Sequence, residues 1–282
     1  MPDTSRVARL SLWVAAGAFL VLGVVAWLLP GWATERFPWS VSPFLAMTIG
    51  GWSIGTALFA ADAARDLRPD RAFPLLIYLG VFSLGQLLVA FAFAGRLRLD
   101  ILTWPYLAGL WAALIGSALT FLAWRQGQGH AGRSEDRQVP SWGRVVVMLF
   151  VLFVGLLALG TLIAGPEGAI AQGSVFPEPM SLFSIRAFSA FLFALTVASA
   201  SLLATRQALP YHELARAGLY LIVPITAAAL LNLHLFSAER PLTFFYLAAY
   251  VGVGLGLGWV LWVQRGDSTL HPRSPGRAAT EG

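Results

Sequence analysis

Long apolar stretches separated by short polar connections dominate the pattern of this 282-residue chain. Each stretch is long enough to cross a hydrocarbon core about 30 Å thick, which takes roughly 20 residues of helix. A helix pairs its own backbone N–H and C=O groups, so it is the open-chain structure that lipid tolerates. The pattern predicts eight transmembrane helices, at residues 8–29, 43–63, 73–94, 102–124, 145–164, 182–204, 214–236 and 241–263.

Two segments lack this apolar pattern and suggest the domain organisation. Residues 126–143 are polar and contain Gly, Ser and Pro, as expected for a linker. Residues 265–282 have too few apolar side chains for a packed element and are predicted to form a disordered cytoplasmic tail. We therefore expect one four-helix unit over 1–125 and a second over 144–264.

The two units share short motifs in the same order along the chain, at an offset of 139 to 142 residues. The matched motifs are Phe37-Pro38 with Phe176-Pro177, Arg65-x-x-x-Pro69 with Arg206-x-x-x-Pro210, Ile77-Tyr78-Leu79 with Leu219-Tyr220-Leu221, and Leu102-Thr103-x-x-Tyr106 with Leu242-Thr243-x-x-Tyr246. Because four crossings return the chain to its starting side, both units enter the bilayer from the same side. The predicted fold class is an all-α membrane protein of two tandem four-helix repeats, related by a pseudo-two-fold axis along the membrane normal.

Composition supports a membrane location and excludes some chemistry. Apolar residues make up 57% of the chain and charged residues 12%, whereas soluble domains carry about 25% charged residues. The mean hydropathy of +0.71 agrees. The chain has no Cys, which excludes disulfides, thiolate nucleophiles and Cys-ligated metals.

The arginines suggest the orientation. All 19 basic residues are Arg, which is typical of GC-rich bacterial coding, and fourteen lie in one set of connections against four in the opposite set. The positive-inside rule then places the N-terminus, the linker and the C-terminus in the cytoplasm, at a bacterial inner membrane. Arginines in short loops suit anionic lipid head groups. We therefore expect the lipid bilayer, and not nucleic acid, as the partner.

The stretch FPWSVSPFLAMTIGGWSIG, residues 37–55, resembles a pattern of uncharacterised multi-pass membrane proteins from high-GC bacteria. In that pattern a Trp-Pro pair, a Ser/Thr-Pro-Leu turn, an Arg and a helix of small residues follow one another. PMSLFSIRAFSAF, residues 179–191, is similar to a degenerate second copy. The Arg of the pattern falls on Arg186, where the first unit has Met47. The resemblance implies a multi-pass fold and no particular activity.

Arg186 is the one charge predicted inside a span, about four residues from its outer end. At that depth the guanidinium can reach the interface, so its cost in lipid is modest. A functional interpretation is an anion or head-group site open to the outside. The structural alternative is an ion pair with Glu178, Glu167 or Glu239.

Three further polar residues are candidate ligand contacts. Asn232 and His234 lie near the outer end of the seventh predicted helix, at a depth similar to Arg186, and all three together would form a small polar pocket. Either residue alone is more typical of ordinary interfacial hydrogen bonding. Gln86 lies in the middle of the third predicted helix, where it contacts a substrate or joins two helices by a hydrogen bond.

Glycine pairs spaced four residues apart predict close helix packing, at Gly51 and Gly55 and at Gly252 and Gly256. The first pair also matches the G-x-S-x-G elbow of hydrolases, but that elbow requires a strand-to-helix turn, and here the serine is inside an apolar helix. No catalytic residue is therefore predicted. Because His234 is separated from the other three histidines by the membrane, no metal site or cofactor is predicted either.

Two functions fit these observations. The first is a non-enzymatic membrane component that contacts lipid, a protein partner or a second copy of itself, which accounts for the lack of mid-membrane acidic charge. The second is a carrier for a small uncharged or weakly anionic solute bound between the repeats, which accounts for the duplication. A lipid-modifying enzyme is third, because no acid/base or metal constellation appears. A polar cavity between the repeats favours the carrier, and a packed core with an apolar groove favours the first function.

Overall fold

The computed structural model describes residues 3–127, 138–165, 175–236, 239 and 242–266, and these residues form helices joined by short connections. Two short 3₁₀ turns, at Ala94–Arg96 and Leu233–Leu235, follow the fourth and eighth α-helices. The α-helices of the described residues are α1 (Asp3–Leu28), α2 (Pro30–Arg36), α3 (Pro43–Arg65), α4 (Pro69–Ala92), α5 (Thr103–Arg125), α6 (Ser141–Ile163), α7 (Leu182–Leu202), α8 (Ala208–Leu231) and α9 (Leu242–Gly266).

Eight of these helices are long and apolar enough to cross a membrane. The short helix α2 is the exception and lies between the first two spans. The prediction of eight transmembrane helices is therefore confirmed, and the chain is a multi-pass membrane protein. The predicted disordered tail and most of the predicted linker, at residues 267–282 and 128–137, lie outside the described residues.

Several helices begin earlier than the apolar pattern predicts. Helix α4 begins at Pro69 and not at residue 73, and α8 begins at Ala208 and not at residue 214. Proline fits the first helical turn, where its missing N–H has no partner to lose, so Pro69 can open α4. Residues 141–143, predicted as the end of the linker, form the first turn of α6.

Serine caps fix the start of α3 and α7. Ser42 Oγ accepts a hydrogen bond from the N–H of Leu45 at 3.1 Å. Ser181 Oγ accepts one from the N–H of Ser184 at 3.2 Å. Each cap satisfies a backbone donor that would otherwise lack a partner at the helix start.

Spans that follow one another in the chain run antiparallel, which defines two ends of the helix bundle. Leu12 of α1 lies against Gly116 of α5, and Phe19 lies against Gly109, so the residue numbers run in opposite directions. We call the end at which α1, α4, α6 and α8 begin the Arg-rich end, and the opposite end the far end. These ends correspond to the two faces of the membrane.

Packing of the eight spans divides the bundle into two halves, whose helices differ in how far they are buried. In the first half, α1 packs against both α3 and α5. In the second half, α6 packs against α7, and α9 packs against α8. The halves meet where α3 packs on α8 and α4 packs on α7. Helix α3 is buried along almost its whole length, whereas only Val154 and Ala158 of α6 are buried.

Candidate functional site

The interface between the halves is close-packed at two glycines of α3. A Cβ added at Gly51 would lie 3.0 Å from Cγ1 of Ile225, and one at Gly55 would lie 2.8 Å from Cα of Leu221. Such distances leave no room for a side chain. Gly51 and Gly55 therefore allow α3 and α8 to approach closely, the arrangement for which small residues are used in membranes.

Aromatic and amide side chains fill the middle of this interface. Trp52 and Phe191 stack with ring centroids 4.2 Å apart and planes 8° apart. Gln86 Nε2 donates to the backbone carbonyl of Ala187 at 2.7 Å, and its Oε1 accepts from the hydroxyl of Tyr106 at 3.0 Å. Gln86 thus connects α4 to α7 and α5, and both of its polar atoms are occupied by protein groups.

An ion cluster closes the interface at the Arg-rich end. Arg216 Nη2 lies 2.9 Å from Oδ2 of Asp62 and 2.7 Å from Oε2 of Glu213. Arg65 also contacts Asp62, at 3.2 Å. Sequence reasoning missed this cluster. The spacing of Glu213 and Arg216 indicates a pair on one helix face, but the contact with Asp62 depends on how α3 and α8 pack.

Hydrogen bonds close the same interface at the far end. Trp39 Nε1 donates to Oγ of Ser184 at 3.1 Å, which joins the segment before α3 to the first turn of α7. Ser42 Oγ donates to Oε2 of Glu178. Polar contacts therefore join the two halves at both membrane faces.

Arg186 holds the end of α6. Its Nη1 donates to the carbonyl of Thr161 at 2.6 Å and its Nη2 donates to the carbonyl of Ala164 at 2.9 Å. The last carbonyls of a helix lack partners within the helix, so a cation there is favourable. Backbone carbonyls at the end of α6 are thus partners of Arg186, and the predicted ion pair with Glu178, Glu167 or Glu239 stays a prediction. Of the predicted partners, Glu178 bonds to Ser42, and Glu167 lies outside the described residues.

A second arginine makes the reciprocal contact at the other end of the same helix pair. Arg144, in the first turn of α6, donates from Nη2 to the carbonyl of Leu203 at 3.1 Å, where α7 ends. Each helix of the α6–α7 pair therefore supplies an arginine to the carboxyl end of the other. Ser189 Oγ adds a bond to the carbonyl of Ala158 at 2.8 Å between them.

The structure places Arg186, Asn232 and His234, the residues of the predicted polar pocket, in different surroundings. Asn232 Nδ2 donates to the carbonyl of Ala228 at 2.8 Å and approaches Sδ of Met47 at 3.5 Å, so it lies at the α3–α8 contact. Arg186 instead lies at the α6–α7 contact. His234 is exposed in the 3₁₀ turn after α8.

Two apolar clefts lie in the second half, walled by α6, α7, α8 and α9. The near cleft, toward the Arg-rich end, has a volume of about 370 Å³. The far cleft, toward the far end, has a volume of about 250 Å³. The two clefts are adjacent, because they share four wall residues, Phe150, Leu195, Ile222 and Val253.

Helices α6 and α9 meet across these clefts through pairs of aromatic rings. Phe153 and Phe245 have ring centroids 5.9 Å apart, and Trp142 and Trp259 have centroids 5.1 Å apart. The backbones of α6 and α9 do not pack closely. The described contacts between the two helices thus include these aromatic pairs, and the clefts lie between the helices.

The glycines predicted to pack α9 line the near cleft instead. A Cβ added at Gly252 or Gly256 would meet nothing within 4 Å. The predicted packing contact of this pair is thus not made within the described part of the chain. Their neighbour Gly254 does face a helix, because a Cβ there would lie 3.0 Å from Cγ2 of Ile222.

The walls of both clefts are largely apolar. Among the described residues that line the clefts, none is acidic or basic, and most are Phe, Leu, Val, Ile, Ala or Gly. The polar wall residues are Thr161, Tyr246 and Tyr250 in the far cleft and Gln138, Ser199, Tyr211 and Trp142 in the near cleft. The described residues also contain no cluster of three His, Asp or Glu side chains that could hold a metal ion. The clefts can therefore hold an apolar molecule by contact.

Comparison with models of known protein families, with curated proteins and with solved structures found no match. Function is therefore inferred from the clefts and their walls, since a helical bundle alone does not imply an activity.

Proposed function

We propose that this protein is a non-enzymatic, lipid-contacting component of a bacterial inner membrane, and that it holds lipid acyl chains in the near and far clefts. The observation that carries the proposal is the pair of adjacent apolar clefts between α6 and α9. Their walls belong to spans that face hydrocarbon. If the clefts were empty, the side chains that line them would lack dispersion contacts on one side, and an acyl chain supplies those contacts.

The length of the clefts suits acyl chains. Along α6 the walls run from Trp142 to Ala164, about 33 Å at 1.5 Å per residue. The hydrocarbon core of a bilayer is about 30 Å thick, so each leaflet contributes about half of that depth. The near cleft therefore faces the chains of one leaflet and the far cleft those of the other.

The carrier alternative would need a polar cavity between the halves. The described residues at that interface support the opposite arrangement, because Gly51 and Gly55 pack on α8 and Trp52 stacks on Phe191. The ion cluster of Arg216 joins the two halves at the Arg-rich end, and the hydrogen bond of Trp39 joins them at the far end. A close-packed interface between the halves, with polar bonds at both ends, favours the lipid-contacting function over solute transport.

The halves themselves are proposed to be tandem repeats, related by a pseudo-two-fold axis along the membrane normal. Reciprocal packing supports this, because α3 on α8 corresponds to α7 on α4. Backbone conformation supports it too: Phe93 ends α4 at φ −114° and ψ 29°, and Asn232 ends α8 at φ −116° and ψ 32°. Trp52 and Phe191, 139 residues apart, occupy equivalent positions and stack on each other, as expected near such an axis.

The proposed orientation places the Arg-rich end in the cytoplasm, and single cysteines test it. The chain has no Cys of its own, so a cysteine at Gln126 or at Gly95 is the sole target for a membrane-impermeant maleimide. We expect Gly95→Cys to react in intact spheroplasts and Gln126→Cys to react only after lysis. The reverse pattern would overturn the orientation.

Filling the near cleft tests the proposed function. Leucines at Gly252 and Gly256 would enter open space and occupy the cleft. We expect the G252L/G256L protein to retain fewer lipids than the unaltered protein when native mass spectrometry counts the lipids that remain bound in detergent. Gly17→Leu is the matched control, because Gly17 also faces open space but lies in α1, away from the clefts.

The outcomes of this test are distinct. Equal lipid retention in the three proteins contradicts an acyl-chain site in the clefts. A dimer mass in the unaltered protein that disappears in G252L/G256L assigns the clefts to a second copy of the chain, and this result also contradicts the proposal.

A further inference from the structure

We propose that the near cleft selects an anionic phospholipid, whose phosphate binds beside Arg144 and Arg206 at the Arg-rich end. This inference rests on the proposed function, since the acyl chains of that lipid would occupy the cleft. It adds the chemical class of the head group and the membrane leaflet. The two arginines and the rim that they share carry the inference.

Backbone pairing builds this rim. The N–H of Val139 donates to the carbonyl of Arg206 at 2.9 Å, and Gln138 forms an isolated bridge with Gln207. The segment that precedes α6 therefore lies beside the segment that precedes α8. Because Gln138, Val139 and Ala208 line the near cleft, the paired segments form its edge at the Arg-rich end.

Positive charge is concentrated at this rim. The side chain of Arg206 is exposed. Arg144 uses Nη2 to bond Leu203 and lies beside the cleft residue Tyr211. The described wall residues of the near cleft include no Asp or Glu to neutralise these arginines. A phosphate diester complements this charge, and an arginine can bind it through two N–H groups.

Two tryptophans place the rim at the level of lipid head groups. Trp142 and Trp259 lie at the Arg-rich end of α6 and α9, with ring centroids 5.1 Å apart. Tryptophan is enriched where hydrocarbon meets head groups. A charge at this depth, directly above an apolar cleft, fits a phospholipid better than a free phosphate, because a free phosphate would leave the cleft unfilled.

In the proposed orientation this rim faces the cytoplasmic leaflet. That leaflet carries the anionic lipids, and each Arg near its surface contributes attraction equivalent to about 1 kcal/mol, or about a fivefold preference. Two arginines at one rim therefore predict a clear discrimination between anionic and zwitterionic lipids that have the same acyl chains.

Lipid competition tests the inference. The purified protein is incubated with equimolar phosphatidylglycerol and phosphatidylcholine of identical acyl chains, and native mass spectrometry reports which lipid remains bound. We expect a preference for phosphatidylglycerol, reduced about fivefold in Arg206→Gln with the total number of bound lipids unchanged. Arg125→Gln is the matched control, because Arg125 is also exposed at the Arg-rich end but belongs to α5.

A second variant keeps the test independent of folding. Arg144→Gln removes the bond to Leu203 as well as the charge, so its thermal stability is measured alongside Arg144→Lys, which retains the charge. We expect Arg144→Lys to keep more of the lipid preference than Arg144→Gln. Equal loss in both variants would contradict a role for the charge.

The remaining outcomes separate the two proposals. Bound lipid without a preference for phosphatidylglycerol would overturn the head-group site and leave the acyl-chain clefts standing. No bound lipid of either kind would overturn the proposed function itself. A preference that falls equally in Arg125→Gln would overturn the assignment to this rim, since it would reflect the overall charge of the protein.

Discussion

The two halves of the bundle close their outer helix pairs differently. In the first half, α1 and α5 are in direct contact, because Phe19 lies against Gly109 and Leu12 against Gly116, where an added Cβ would lie 2.9 Å and 2.8 Å from the nearest side-chain atom. In the second half, α6 and α9 are separated by two clefts. Similar orders of helices therefore produced one closed pair and one open pair.

Glycine by itself does not explain this difference. Gly256 of α9 follows Gly116 of α5 by 140 residues, within the offset of the matched motifs, yet it faces the near cleft. Gly116 receives Leu12 from the facing helix, whereas a Cβ added at Gly256 would meet no described atom within 4 Å. A glycine becomes a packing site only where the neighbour presents a side chain that fits into it.

The closed pair, α1 and α5, and the open pair, α6 and α9, also differ in the contacts that hold α1 and α6 in the bundle. Helix α1 contacts α3 and α5, whereas α6 depends on α7. The reciprocal bonds of Arg186 and Arg144 secure α6 to α7 at both ends. Helix α6 is therefore held by polar contacts on the side that faces α7, while the clefts lie on the side that faces α9.

The largest expected effect comes from loosening that closed side. Arg186→Met removes two hydrogen bonds from a charged donor, each worth about 1.5–3 kcal/mol, and leaves the carbonyls of Thr161 and Ala164 without this partner. We expect a large loss of thermal stability in detergent and reduced accumulation in the membrane. Arg36→Met is the control, because the bonds of Arg36 within the described segments go to Trp32 and Glu35, nearby in α2. Stability equal to that of this control would show that α6 is held in another way.

A smaller effect distinguishes the closed pair from the open pair directly. Gly116→Leu would force a side chain against Leu12 and separate α1 from α5, at a cost of about 1–3 kcal/mol. Gly256→Leu, the same change at the matching position, enters open space and should leave the thermal unfolding temperature unchanged or slightly higher. If both variants lose the same stability, the second half is closed in solution and the comparison fails.

The smallest effect concerns the interface between the halves. Gln86→Leu removes the bonds to Ala187 and Tyr106, and such bonds between membrane helices average about 0.6 kcal/mol. We expect a small fall in unfolding temperature. Ser83→Ala, one turn away, should have no effect, because its hydroxyl makes no hydrogen bond to any residue that the structure describes. A large loss in Gln86→Leu would mean that this buried amide, and not helix packing, holds the halves together.

Part of the site could be recognised before the structure was known. The mid-span position of Gln86 indicates a hydrogen bond between helices, but not that the acceptor is Ala187 of the other half. For Arg186 the sequence suggested an anion site or an ion pair with a carboxylate, and it did not predict the bonds to two carbonyls at the end of α6. The end of a neighbouring helix leaves no mark in a sequence pattern, so this partner could not be found.

The sequence by itself determined the eight spans and the exclusion of thiol chemistry. Both follow from local properties, because a sufficiently long apolar segment in lipid must form a helix whatever surrounds it. Only the tertiary structure decided which glycines pack and which leave a cleft: Gly51 and Gly55 contact α8, while a Cβ at Gly252 or Gly256, which have the same spacing, would meet no described atom within 4 Å. The physical reason is that close packing is a property of two surfaces, and the facing surface lies far away in the chain.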